Sequence, residues 1–243
     1  MEQANNAIYA GVTRPQIAIE NGVYPAKLVQ IIQVGSHYFC KKNANGDVTS
    51  EWYSPQILLG FELPTVVFET AEGVKMSTLK SSTYFLSMNE SKNVIGLREI
   101  IDGLRGSKEY TAEELEQFDI SQFLGKTCFI KLEEVESKGK IYTNISEITP
   151  IKQEDLASIQ IDPAVTRRTP ILITLGDFRN IESLELPTWI QEKIIGSKEY
   201  QEMLDLDNNA ANEQQSTIPP MPAMTTAQGV EDEEEIRIED VPF

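Results

Sequence analysis

Histidine and cysteine are almost missing from this chain: 243 residues contain one His, His37, and two Cys, Cys40 and Cys128. A Ser-His-Asp or Cys-His catalytic site would have to be built on His37, and the surrounding run SHYFCKK offers no partner for one. His37 therefore reads as a packing or surface residue, with ligand contact as the second reading. One His and two distant Cys do not make a zinc site. The two thiols read as reduced and buried. No window approaches the ~18 unbroken apolar residues of a membrane span. The N-terminal run MEQANNAIYAGVTRPQ has neither the basic nor the apolar region of a secretory signal. A cytoplasmic protein is expected. Phosphate loops of the G-x-x-x-x-G-K-[ST] or G-x-G-x-x-G type are absent, and FLGKT lacks the earlier glycine and leads into a strand. No catalytic residue, metal or cofactor is expected.

Basic charge is scarce as well: 21 Lys and Arg face 38 Asp and Glu, for a net charge of −17. Residues 206–243 hold nine acids and one base, −8, which leaves −9 for the rest; residues 1–105, with ten acids and nine bases, are nearly neutral. Bulk charge thus argues against a generic polyanion binder, and any nucleic-acid site must be a local patch. Apolar content of 40% is lean for a chain packed throughout.

What is present is mostly strand. GVYPAKLVQIIQVG and PTVVFET are rich in β-branched and aromatic residues between Gly, Pro and Asn punctuation. HYFCKKNANGDVTSEWY reads as two strand ends around a turn at Asn43-Ala44-Asn45-Gly46, and KMSTLKSSTYFLSM as a further strand. The period then changes. Val94, Leu97, Ile101 and Leu104, joined by Ile100, fall at helical spacing, GLRGSKEY ends that helix, and Thr111 with Glu114 forms a capping box for another. Alternation returns at Cys128, Ile130 and Leu132. A turn at Ser137-Lys138-Gly139 leads into KIYTNISEI, with Ile141 and Ile145 opposite Lys140 and Tyr142. Strands, helices and a closing hairpin describe a mainly β protein with helical elaborations. An OB-fold-like five-stranded small β-barrel fits that order, as do other small barrels.

The domain reading is an N-terminal arm at 1–16 and a barrel core at 17–150, with a helical insertion at about 89–125. A C-terminal extension with helices follows at 151–205, where Pro187 suits a first turn and Ser197 a cap. From Leu206 the composition is low-complexity, so 206–243 reads as a disordered linker and acidic tail. The pentapeptide GSKEY occurs at 106–110 and 196–200, both times after an apolar helix and before another.

Bases coincide with aromatics at Tyr38, Phe39, Lys41 and Lys42, at Trp52 and Tyr53, at Lys80, Tyr84 and Phe85, and at Lys138, Lys140 and Tyr142. Aromatic faces that stack on bases beside cations that follow phosphates are what sequence-tolerant single-strand binding requires. The candidate nucleic-acid-binding residues are Tyr38, Lys41, Lys42, Trp52, Tyr53, Lys80, Tyr84, Lys131, Lys138, Lys140 and Tyr142.

The final residues EDVPF resemble the acidic tip of bacterial-type single-stranded DNA-binding proteins. LLGFELP onward, through STYFLSMNESKNVIGLREIIDGLRGSKEY to GKIYTNISEITP, is similar to a phage-encoded family read as barrel-fold, single-stranded DNA-binding replication proteins. LPTWIQEKIIGSKEY is similar to that family's C-terminal helical phrase. The resemblance implies a non-enzymatic protein of phage replication or recombination that coats single-stranded DNA in the cytoplasm of an infected bacterial host. It also implies a tip, Glu239, Asp240, Val241, Pro242 and Phe243, that recruits replication or recombination proteins: Pro242 and Phe243 fill an apolar socket while the acids steer to its basic rim. A homo-oligomer is compatible with the sequence, and a membrane is not expected. Two alternatives stand beside this reading. One is an acidic adaptor or DNA mimic that binds basic proteins and not DNA. The other is a carboxylate-metal nuclease, for which no acids group together.

Overall fold

The computed structural model describes residues 7–9, 12–14, 19–89, 95–111, 113–114, 118–137 and 140–215. Two short strands, β1 (Ala7–Tyr9) and β2 (Val12–Arg14), pair in the N-terminal arm. Three long strands follow, β3 (Gly22–Lys42), β4 (Val48–Glu69) and β5 (Lys75–Phe85), then helix α1 (Leu97–Arg105) and strands β6 (Thr127–Ser137) and β7 (Lys140–Pro150). The sheet order is β5-β4-β3-β6-β7, antiparallel throughout. A central first strand paired on both sides, with a helix between the third and fourth, is the OB-fold-like arrangement expected from the sequence. A short strand β8 (Ile171–Ile173) adds to β3 in parallel, at Gln30–Ile32.

The barrel interior collects Leu28 and Ile31 from β3, Ile57, Leu59 and Phe61 from β4, Tyr84 from β5, and Cys128, Ile130 and Leu132 from β6. Helix α1 closes it with Leu97, Ile100, Ile101 and Leu104, the residues that helical spacing predicted; Val94 lies outside the described residues. Burial pushes the Cys128 thiol up to about 12, so it behaves as an apolar core group. Among the described side chains of β7 the buried ones are Ile145 and Ile148, three apart; the side chain of Ile141 lies outside them. Ladder partners jump from Lys131↔Glu147 to Leu132↔Ile145, so Ser146 is the extra residue of a bulge that resets which side faces in. Another irregularity spans Pro64, between Leu63↔Thr78 and Val67↔Ser77, where a missing N–H costs no ladder bond.

A second apolar cluster lies on the opposite face of the same strands: Ile32, Val34 and Leu58 pack with Ile173, Phe178, Ile181, Leu186, Ile190 and Ile194. The latter come from β8, a 3₁₀ stretch (Leu175–Ser183), the link that carries Leu186 and helix α3 (Thr188–Ile195), after a single turn, α2 (Gln153–Leu156). The connecting segment is fastened by Glu62, which is 1% exposed on β4. Its carboxylate accepts hydrogen bonds from Ser77 Oγ (2.5 Å), the Arg168 backbone N–H (2.8 Å) and Arg167 Nε (3.4 Å). A buried carboxylate is tolerable only with such a complement of donors.

Helix α4 (Lys198–Gln215) follows, capped by Ser197, whose Oγ accepts the Tyr200 N–H at 3.3 Å. It runs through Leu206–Gln215, a correction to the linker expected to begin at Leu206. Extending an existing helix needs no new nucleus, and Ala210, Ala211, Glu213 and Gln214 are good helix formers. The expected Thr111–Glu114 box is present: the Thr111 N–H donates to Glu114 Oε2 (2.8 Å) and the Glu114 N–H to Thr111 Oγ1 (3.1 Å). The two GSKEY copies do different work. Tyr110 lies between the Arg98 and Arg105 guanidiniums, 4.9 and 4.7 Å from its ring centre, and donates to Asp102 Oδ1 at 2.6 Å. Tyr200 packs on Phe178 instead. Among the described residues no helix is long and apolar enough to cross a membrane.

Helix α1 approaches β7 so closely at Gly103 that a Cβ there would overlap the Ile148 carbonyl. Gly103→Ala is therefore expected to destabilise the fold by about 1–3 kcal/mol, as overpacked sites do. The measurement is the urea midpoint, which falls at unchanged slope. An unaltered midpoint would show that α1 can lift from β7 without cost.

Candidate nucleic-acid interface

Strands β3 and β4 are far longer than the core they serve. Their last fully buried apolar residues towards the connecting turn are Val34 and Ile57, and beyond them Ser36–Lys42 and Val48–Pro55 continue as a two-stranded arm. At 3.2–3.4 Å per residue the arm reaches about 20 Å. With no core of its own, it is held by its ladder, its turn and its side-chain pairs. Asn43 organises the turn: Oδ1 accepts the Asn45 and Asp47 N–H groups, both at 2.9 Å, and Gly46 takes φ +91°, as expected for the NANG turn.

Directly opposed residues supply the rest. Phe39 faces Trp52 across the ladder, rings stacked at 6.1 Å, and Phe85 at the end of β5 meets Phe39 edge-on at 5.1 Å. On the other side of the ribbon Tyr38 faces Tyr53, edge to face at 5.9 Å. Tyr38, Trp52, Tyr53 and Phe85 are each about half exposed. Aromatic pairs of this kind stabilise by about 0.5–1.5 kcal/mol beyond area burial. Even so, four large rings remain half in water where the fold does not require them. Lys41 and Lys42 are exposed at the arm's end, against Asp47 and Glu51. The arm is thus locally neutral, and what it presents to its surroundings is mainly ring faces rather than charge.

The arm's base is braced by the C-terminal extension. The Glu199 carboxylate accepts both the Ser36 backbone N–H and the Ser36 hydroxyl, each at 2.6 Å. Burial raises the Glu199 pKa, but the Ser36 hydrogen bonds outweigh it and hold the group below the usual carboxylate range. Gly35, at φ +78°, lies directly beneath Ser197, so no side chain would fit there. His37 is half-buried, with Nε2 3.1 Å from the Val34 carbonyl, and burial keeps its pKa below the usual value.

Five of the sequence candidates, Tyr38, Lys41, Lys42, Trp52 and Tyr53, therefore share one arm. The β6–β7 hairpin, the other rim of an OB-type groove, carries Lys131 and Tyr142. Tyr142 is exposed opposite Val135, and Lys131 is paired with Glu133 at 2.6 Å. Lys138 and the side chain of Lys140 lie outside the described residues. Two candidates are corrected. Tyr84 is a core residue opposite Ile57, its phenol pushed up to about 12 by burial, and has no ring face to offer. Lys80 turns inward and donates to the Thr143 carbonyl, tying β5 to β7, and burial lowers its pKa. The sequence candidates omitted Phe39 and Phe85. KSSTYF contains no apolar alternation that would tell which of Tyr84 and Phe85 points out.

Among the described residues no three His, Cys, Asp or Glu side chains come together as a metal site would need. The Tyr38 hydroxyl donates to Glu51 Oε2 at 2.7 Å, and that bond, with burial a smaller cause, holds its pKa up at about 12. Glu51→Gln removes the carboxylate that favours the protonated phenol. The Tyr38 pKa is then expected to fall towards the ordinary 10, read by ring-carbon NMR shifts across alkaline pH. No change would mean that the pair is not formed in solution. No protein-family model matches the chain, and no curated protein matches it in sequence.

Proposed function

We propose that this is a non-enzymatic single-stranded DNA-binding protein whose β3–β4 arm supplies stacking platforms to successive bases. The observation that carries the reading is the Phe39–Trp52–Phe85 cluster, with Trp52 and Phe85 half exposed, held by cross-strand pairing on an arm that the core does not need. In an OB-type barrel the turn between the first two strands and the turn between the last two flank the ligand groove. Here those are the Lys41–Lys42 end of the arm and the β6–β7 turn with Lys138 and Lys140. Bases stack on Trp52 and Phe39, Tyr142 extends the surface on the second hairpin, and the lysines follow phosphates. The resemblance adds a setting, phage replication or recombination in a bacterial cytoplasm. It also adds a partner-recruiting role for Glu239, Asp240, Val241, Pro242 and Phe243, which lie outside the described residues. The net charge of −17 favours one other reading, an acidic adaptor for basic proteins.

The test uses fluorescence of the full chain with Trp189→Phe, which leaves Trp52 as the sole tryptophan. A thymidine oligomer is expected to quench it to saturation, weakening as salt rises with a shallow slope, about −0.7 for each phosphate neutralised. In a mobility assay Trp52→Ala is expected to lose about 1–3 kcal/mol, a stacked base's contribution. If neither the full chain nor a version ending before Glu231 binds at low salt, the single-strand reading fails and the adaptor reading replaces it.

A further inference from the structure

The two faces of the arm are not equivalent. Phe39, Trp52 and Phe85 leave open aromatic surface on one. On the other, the ring of Tyr53 carries a cation from outside the barrel: Lys198 Nζ, in the first turn of α4, lies 5.4 Å from the ring centre. Both chain neighbours fix Lys198 in place. Ser197 is fully buried against Gly35, and Glu199 grips the backbone and side chain of Ser36. Lys198 itself remains half exposed, 51%, and its partner besides the ring is Glu202 one turn on, 3.6 Å away and 60% exposed. Such an exposed pair in one helix is weak and readily exchanged.

We propose that Lys198 is a phosphate-contacting residue of the nucleic-acid surface, so that the interface extends from the barrel hairpin onto the first turn of α4. This rests on the single-strand reading above. The arm then divides its work by face. The strand then wraps the arm: bases of one stretch stack on the Phe39–Trp52 side, and the sugar-phosphate chain of the adjoining stretch passes the Tyr38–Tyr53 side, where Lys198 exchanges Glu202 for a phosphate oxygen. An ammonium has three donors, so it can stay over the ring while it donates outward. Glu202 is a built-in competitor for the same cation. Removing it and removing Lys198 must therefore act in opposite directions, which a merely structural role would not produce.

Full-length chains are titrated with a thymidine oligomer across a salt series. Lys198→Gln is expected to weaken binding several-fold at low salt and to flatten the slope of log K against log salt by about 0.7, the value for one phosphate on a single strand. Lys198→Arg is expected to keep the slope. Glu202→Gln is expected to tighten binding at low salt. Urea midpoints of the three variants should match the unsubstituted chain. The proposal is overturned if Lys198→Gln leaves affinity and slope unchanged. It is equally overturned if affinity falls with no change in slope, since the lysine would then act only by holding the arm. Failure of the unsubstituted chain to bind would overturn the single-strand reading itself and this inference with it.

Discussion

Two neighbouring strands in this protein must bury both faces at once, and the rest of the structure follows from that constraint. Ile31 and Leu59 point into the barrel, while the adjacent Ile32 and Leu58 point away from it into a second cluster. A strand pair with apolar residues on both sides cannot leave either face in water. The barrel, closed by α1, covers one. The extension from β8 through α3 covers the other, which is why this segment is part of the fold rather than an ornament on it. Buried Glu62 and its three donors fasten the crossing between the layers.

The same constraint explains the arm. Once Ile31–Val34 and Ile57–Leu59 are committed to two cores, the remainder of each strand has nothing left to pack on and projects. Its base is then fixed by whatever closes the second layer, and that is the Ser197–Glu199 corner. Aromatic presentation at one end and C-terminal packing at the other are therefore one mechanical unit, joined through Gly35 and Ser36.

The sequence made much of this legible where a single physical signal dominated. Runs of β-branched residues announced β3 and β4, helical spacing announced α1, and the NANG turn was readable from Asn and Gly. It was less legible where two signals competed. IIQVG carries no alternation because both of its faces are buried, so periodicity could not reveal the second cluster. The Ser146 bulge changes the parity of β7 midway, and only the ladder shows that Ile148 faces inward. Tyr84 and Phe85 are adjacent and chemically alike, so their opposite fates depend on register alone. Lys80 looks like a solvated strand lysine until β7 is placed beside it. At the C-terminal end, DNNAANEQQ has no apolar period and reads as linker, yet it continues a helix already nucleated at Ser197.

The ribbon formed by Ser36–Lys42 and Val48–Pro55 has, among the described residues, no strand beyond either edge. A long exposed pair of edges is a template on which another chain can add a strand, and half-exposed rings make such an encounter stickier. Lys41, Lys42, Asp47 and Glu51, together with Pro55, are the features that discourage it. Stripping the arm of its acids would leave the ribbon less protected from its own copies, and colloidal behaviour at high concentration would report the change.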